Sequence, residues 1–414
     1  MAKTPSPKRL LLLIPSTTYR TADFMAAAQR LGAQVVVGSD QRQVLEAHSE
    51  GRTLTLDFDR PVRAIEIVRS VTPPFDAVVP VDEEATTLAA ILADALKLPH
   101  NSVESVEAAR NKAISRRRLR DAGLPIPRFE VIALTQDPEP AAARVGFPCV
   151  VKPLVLSASR GVIRADDLSQ LHAAVTRVST ILANPKVKKL GPAAGQLLIE
   201  AFIPGTEFAL EGLLRSGKLD ILALFDKPDP LDGPFFEETI YVTPSRLPAT
   251  TQRQIAECTS RAAAALGLRN GPIHAELRLN AQGPWLLEVA ARSIGGLCSR
   301  TLRFGTGLSL EEIILRHALG FKIPSLERED GAAGVMMIPI PRAGTLQDVR
   351  GKEQAKAVAG IEEVTIMIRR GQRMVPLPES HRYLGFIFAR GERPEDVETA
   401  LREAHRCLEF EIAP

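Results

Sequence analysis

Residues 270–296, NGPIHAELRLNAQGPWLLEVAARSIGG, constrain this chain more than any other stretch. From 274 to 280 the side chains alternate. His274, Glu276, Arg278 and Asn280 point one way, and Ala275, Leu277 and Leu279 the other. Asn-Ala-Gln-Gly-Pro is turn chemistry, and alternation resumes with Trp285, Leu287, Val289 and Ala291. The stretch therefore reads as a β-hairpin. Centred on its turn, Glu276 and Glu288 fall opposite each other on one face, with Cβ atoms about 5 Å apart, where bare like charges repel. Such a pair calls for a cation between the carboxylates. Mg²⁺ takes one or two carboxylates plus substrate phosphates at about 2.0–2.1 Å and suits the position. Arg292 follows on the same face by parity, just before Gly295-Gly296. A guanidinium fork beside a metal pair suits an anionic intermediate. An exposed hairpin with two solvated glutamates would carry the same pattern, so the rest of the chain has to decide.

With 414 residues the chain is too long for one core and suits about two to four domains. Its net charge of +3 is small for that length, and its two basic runs, 116–118 and 186–189, read as solvated surface. A nucleic-acid partner, which needs a concentrated basic face, is not expected. Cys149, Cys258, Cys298 and Cys407 show no CxxC spacing. That argues against a zinc site or a disulfide framework and for a reducing cytoplasm. The apolar run 10–14 is too short for a signal peptide, no stretch is long enough to span a bilayer, and no membrane partner is expected.

Taken in order, residues 9–14 read as a buried parallel strand, 22–31 as a helix and 33–37 as a second strand, a βαβ start. Further strands at 53–58 and 76–81 and a helix at 83–96 complete a small open α/β domain. The first loop lacks the G-x-G-x-x-G fingerprint, so dinucleotide binding is not expected. Asp82-Glu83-Glu84 lie past a strand's carboxyl end, where open sheets bind ligands. Acids matching a helix dipole would look the same. Residues 102–123 read as one helix carrying Asn111, Lys112 and Arg117.

The apolar strand 147–153 ends in Lys152, either a snorkelling residue or a phosphate ligand. In the following loop Ser157, Ser159 and Gly161 let the backbone approach phosphate oxygens, and Arg160 adds charge. A helix at 168–182, a linker at 184–195 and a strand at 196–203 come next. Glu207, Ala209 and Glu211 then share one face of another strand. Residues 235–248, FFEETIYVTPSRLP, are too long and mixed for a plain turn and read as a functional loop. Glu238 and Ser245 within it are candidates for substrate selection, with loop stabilisation as the alternative. Helices follow at 251–266 and 308–319. Beyond 324, strands at 334–339, 360–368 and 384–390, a helix at 394–408 and a strand at 409–412 make a small, mostly antiparallel α+β domain. His381-Arg382-Tyr383 are placed to reach the site.

Four segments in order resemble the ATP-grasp superfamily, in particular the L-amino-acid ligases that join an amino acid to another amino acid or amine. They are the Asn111-Lys112 helix ending in AGLPIP, the VVKP strand with its SASRG loop, the LIEAFIPGTEF hinge, and the HAELRL…WLLEVAARSIGG hairpin. The resemblance covers nearly the whole chain. It implies an α/β fold with an α+β C-terminal part: an N-terminal domain at 1–101, an ATP-grasp core at 102–320 and a C-terminal domain at 321–414. Within the core it implies a mobile lid at about 125–195 and a catalytic part at 196–320. It further implies that Lys112 and Lys152 contact ATP phosphates, and that Ser157, Ser159, Arg160 and Gly161 form the loop closing over them. Glu200, Ala201, Phe202 and Ile203 would be the hinge meeting the adenine, and Glu207 would hold the ribose. Glu276 and Glu288 would ligate Mg²⁺, or Mn²⁺ in its place. Arg292 and the Gly295-Gly296 backbone would stabilise the acyl phosphate and the tetrahedral intermediate.

One departure concerns Ala290, which stands where many relatives place an asparagine as a further metal ligand. The expected reaction is ATP-dependent amide or dipeptide formation through an acyl phosphate, by a cytoplasmic enzyme for which a homodimer is common. His274 would accept the amine proton or orient its neighbours. The rival readings are a carboxylase subunit or purine-pathway ligase using bicarbonate or formate, and a nucleotide-binding regulatory protein without chemistry.

Overall fold

In the computed structural model, residues 7–42, 51–380 and 382–414 are described. The run of four leucines at 10–13 is fully buried, because its strand lies inside a parallel sheet covered on both faces. That sheet runs in the order Thr53–Thr55, Gln34–Ser39, Arg9–Leu13, Ala77–Pro80. Thr53–Thr55 is half as long as the sequence suggests. The helix Glu83–Ala95 starts directly after the last strand and puts Asp82, Glu83 and Glu84 at the sheet's carboxyl edge.

The helix expected over 102–123 is two helices, Val103–Arg110 and Lys112–Asp121. Asn111 breaks it: its backbone is extended, and its side chain accepts from the N–H groups of Ala113 and Ile114 as an N-cap. The break places Lys112 at the head of the second helix, where its N–H donates to Leu154 O.

A four-stranded antiparallel sheet is built largely from the segment expected to form the lid, in the order Phe129–Ala133, Gln196–Ala201, Cys149–Pro153, Ile163–Ala165. Helix Leu168–Leu182 packs its apolar face on it. Gln196–Ala201, which the sequence division puts just past that segment, is one of the two inner strands of this sheet.

The long sheet has eight strands. Their order is Gly283–Ala290, Gly271–Asn280, Thr206–Arg215, Lys218–Asp226, Ile240–Thr243, Ala332–Ile338, Gly385–Gly391, Ile361–Ile366. Backbone pairing therefore runs unbroken from the hairpin into the C-terminal part. Ile240–Thr243 lies inside the stretch read as a loop and is fully buried. The strand Gly344–Arg350, not foreseen, pairs with Glu409–Ala413 in a separate three-stranded sheet. One core joins the N-terminal sheet to the long one: Leu10, Leu12 and Val79 share it with Leu213, Phe225, Tyr241 and Phe386. The cleft opens between these packed units.

Candidate active site

The hairpin forms as expected, with Glu276 paired across to Glu288, but the register contains one surprise. Next to the turn Leu277 faces Leu286, so regular pairing would set Glu276 against Leu287. A β-bulge between Glu276 and Leu277 inserts Leu287 as an extra residue and brings Glu288 opposite Glu276. His274 faces Ala290 two pairs further on, so the departure noted in the sequence leaves a small, buried side chain there.

One cleft gathers most of the predicted residues. Lys112, Lys152, Ser157, Ser159, Glu200, Ala201, Phe202, Ile203, Glu207, Glu238, His274, Glu276, Glu288, Arg292, Gly295 and Gly296 all line it. Arg160, Gly161 and Ser245 do not. Ser245 is buried away from the cleft, where its hydroxyl accepts from Leu247 N–H and its carbonyl from Gln252. It orders its own loop, because the turn that follows needs an acceptor. The Arg160 side chain is part-buried and donates to Glu379 O at 3.0 Å. Gly161 N–H donates to Pro378 O at 2.9 Å, and a Cβ there would come within 2.8 Å of Pro153. The loop is thus held from the C-terminal part while Ala158 and Ser159 take left-handed backbone angles, φ 52° and 54°. Each such residue costs about 1–2 kcal/mol, so this conformation depends on those anchors. Tyr383 lines the cleft, Arg382 does not, and His381 lies outside the described residues.

Cations collect on the lid side. Glu200 is buried and accepts two hydrogen bonds from Arg116, at 2.9 and 3.3 Å, and pairs with Lys152. Burial pushes its carboxyl up, but Arg116 and Lys152 outweigh this and hold it at about 2. Lys112 Nζ donates to Leu156 O at 2.8 Å and stands 3.4 Å from Glu288. Phe202 lies between two guanidinium groups, Arg164 at 4.3 Å and Arg278 at 4.8 Å from its ring centre.

Carboxylates collect beneath the hairpin. Lys227, fully buried, sits among Glu207 at 2.8 Å, Glu238 in close contact and Glu276 at 3.5 Å. Carboxylate oxygens of these three glutamates lie within 4.8 Å of one another. Arg278 also pairs with Glu207 at 3.2 Å, and Tyr241 donates to Glu238 at 2.7 Å. Burial and the neighbouring Glu276 and Glu207 push Glu238 up to about 7 against the pull of Lys227. His274 places Nδ1 3.2 Å from Glu211 and Nε2 3.6 Å from Glu276. Burial depresses its pKa, but the two carboxylates outweigh this and raise it to about 9. Both ring nitrogens thus stand beside carboxylates, an arrangement suited to orienting Glu276. Glu211 also accepts from Ile294 N–H at 2.9 Å, which fixes the approach to Gly295-Gly296.

Arg292 pairs with Glu83 at 2.9 Å. Glu83 therefore faces the cleft rather than merely matching a helix dipole. Burial would lower the Arg292 pKa, yet Glu83, Glu288 and Asp82 keep it well above its ordinary value.

Sequence reasoning missed Lys227, Arg278 and Arg116. The first had a signal: like Lys152, it follows an apolar strand, here LALFDK. Arg278 shares the alternating face with Glu276. Arg116, read as solvated surface, is 1% exposed, because it lies one helical turn beyond Lys112 on the same buried face.

Residues 145–301 match the family described as ATP-grasp domain, and residues 25–100 match the ATP-grasp N-terminal domain. The chain carries an ATP-grasp domain and has the ATP-grasp fold. Residues 336–413 of this ATP-grasp chain match L-amino acid ligase C-terminal domain 2. The crystal structure of L-amino acid ligase from Bacillus licheniformis superposes with a TM-score of 0.84 at 29% identity, covering 99% of this chain and 100% of that one. The alanine–anticapsin ligase of Bacillus subtilis is 25% identical over 74% of this chain and 68% of its own length. An uncharacterised protein of Sinorhizobium fredii is 25% identical over 77% of this chain, which spans 64% of that relative.

Proposed function

We propose that this ATP-grasp chain is an ATP-dependent carboxylate–amine ligase that joins amino acids, or an amino acid and an amine. The observation that carries the proposal is the pairing of Glu276 with Glu288 in one cleft with Lys112, Lys152 and Arg292. The L-amino acid ligase domain at the C-terminus supports amino acids over bicarbonate or formate. Complete acidic and basic sets in the cleft favour an enzyme over a regulatory protein that has lost its chemistry. The proposed division of labour is an N-terminal domain at 1–101, a core at 102–320 with a lid at about 125–195, and a C-terminal domain at 321–414.

The donor set fits a hard cation. Glu276 and Glu288 offer carboxylate oxygens only, and ammonium groups stand 3.4–3.5 Å from each. Glu276 and Glu288 would hold Mg²⁺, or Mn²⁺ in its place, and the bound ion would offset charge on the transferring phosphoryl group. Lys112 and Lys152 hold the ATP phosphates, the backbone of 200–203 borders the adenine, and Glu207 reaches the ribose. A substrate carboxylate oxygen attacks the γ-phosphorus; ADP leaves and an acyl phosphate forms. The amine then attacks the acyl carbon, phosphate departs with the former carboxylate oxygen, and the amide forms. Arg292 and the Gly295 and Gly296 amides meet the oxyanion, a contact strongest in the transition state. The 157–161 loop excludes water that would hydrolyse the acyl phosphate. Glu238 shapes the substrate end of the cleft through Lys227 and Tyr241, and His274 orients Glu276. A cytoplasmic site of action and a homodimer complete the proposal.

The test is ADP release with ATP and Mg²⁺ across a matrix of single amino acids, amino-acid pairs and amines, with product mass measured and Glu288→Ala as control. Release that requires two partners and yields an amide is expected. Release with bicarbonate or formate alone would move the assignment to a carboxylase or purine-type ligase.

A further inference from the structure

The bulge that brings Glu288 opposite Glu276 needs something to hold it. Leu287 has no partner on the facing strand, and its own strand is the outermost of the long sheet. A slip of one residue would restore regular pairing and set Leu287 against Glu276. Two groups grip the outer edge of this strand. Pro125 O accepts from Leu286 N–H at 3.1 Å, and Arg116 Nη2 donates to Leu287 O at 2.8 Å. The same guanidinium donates to both oxygens of Glu200, on an inner strand of the lid sheet, and Glu200 in turn holds Lys152. Lys112, one turn away on the same helix, stands beside Glu288.

We infer that Arg116 is a positioning residue that locks the hairpin register in which Glu276 faces Glu288 and ties it to the strand carrying Glu200. A buried Arg is suited to this as no other side chain is. Its planar fork spans a carboxylate and a carbonyl at once, whereas a lysine ammonium is a single point. Loss of Arg116 leaves Pro125 as the remaining edge anchor, so the hairpin persists but its register loosens at the bulge. The inference rests on the reading of Glu276 and Glu288 as the residues that hold the divalent ion.

The experiment titrates Mn²⁺ in the presence of ATP, read by electron spin resonance of the free ion, with thermal melting of each variant recorded alongside. Wild type, Arg116→Lys, Arg116→Met and Glu200→Gln are compared. Arg116→Lys and Arg116→Met are expected to weaken Mn²⁺ binding at least about tenfold, the range for residues that orient metal ligands. Glu200→Gln, which keeps the bond to Leu287 O, is expected to lose less than either. Arg116→Lys, which keeps a cation beside Glu200, should melt closer to wild type than Arg116→Met while still binding Mn²⁺ poorly. Unchanged Mn²⁺ affinity in a folded Arg116→Lys protein would overturn the inference and leave Arg116 a purely structural ion pair. Failure of the wild type itself to bind Mn²⁺ with ATP would instead overturn the metal reading of Glu276 and Glu288, and the inference with it.

Discussion

Two buried ion clusters border the same cleft and are built to opposite accounts. In the lid cluster one carboxylate, Glu200, is shared by two cations, Arg116 and Lys152. In the hairpin cluster three carboxylates, Glu207, Glu238 and Glu276, surround Lys227, with Arg278 on the rim. Glutamate responds accordingly: Glu200 is held at about 2, whereas Glu238 is pushed to about 7. Burial raises both, and the local balance of charge decides the outcome. A site with surplus cations beside one with surplus carboxylates suits a ligand that is itself divided, polyanionic phosphate at one end and a divalent cation at the other. The two halves meet where Lys112 stands next to Glu288.

The sharpest way to break this comparison is to remove a carboxylate that the account assigns to the metal. Glu288→Ala should lower kcat/KM by about 10³-fold or more, since metal stabilisation of phosphoryl transfer is worth several kcal/mol. Steady-state ADP release checks it, and a loss under tenfold would deny Glu288 that role. Removing the central cation of the hairpin cluster should act on stability instead. Lys227→Met strands three buried carboxylates and should cost about 3–5 kcal/mol at pH 8, measured by urea unfolding of the metal-free protein.

The pH dependence of stability separates the two clusters by sign. Glu200 has a depressed pKa, so its contribution is present above the ordinary carboxyl value and is lost as pH falls from about 4.5 toward 2, a swing of ~3 kcal/mol. Glu200→Gln should flatten the acid limb of an unfolding profile over that window. Glu238 has a raised pKa, so its contribution is present below about 4.5 and is lost as pH rises through about 7. In metal-free protein, Glu238→Gln should therefore flatten the profile between pH 5 and 8 and leave the acid limb unchanged, checked by melting temperature against pH. The smallest effect is expected away from both clusters. Arg177 and Glu379 form a two-pronged pair, 2.5 and 3.0 Å, between the lid helix and the C-terminal segment that holds the 157–161 loop. Both are partly exposed, so Glu379→Ala should change stability by no more than about 1 kcal/mol. Faster proteolysis within the loop would register the lost anchor.

The hairpin itself was legible in the sequence because strand alternation assigns faces without knowledge of the fold, whereas Lys227 and Arg278, the cations of its cluster, were not. Glu276, Glu288 and Arg292 came from parity alone. The bulge was not legible. It depends on Arg116 and Pro125, which lie far away in the sequence and meet the hairpin only in the folded chain. The lid cluster was half legible. Lys152 stood out at the end of an apolar strand, but its partner Glu200 looked like a hinge residue, and Arg116 was hidden in a basic run beside the exposed Arg117. For Ser245 the loop-stabilising alternative fits the structure, and the sequence could not choose it because a loop's side chains have no periodicity to sort inward from outward. The strand Ile240–Thr243 was missed for a related reason: all four of its residues are buried, so it shows no alternation.

The central claim is that a substrate carboxylate is phosphorylated before the amine arrives. Supplying the carboxylate partner with ¹⁸O in its carboxyl group and following the released phosphate by mass tests it most directly. The account predicts one ¹⁸O in each phosphate for every amide formed, because the carboxylate oxygen that attacks the γ-phosphorus leaves with it. Amide formation with unlabelled phosphate would contradict the account and require a different activation of the carboxylate.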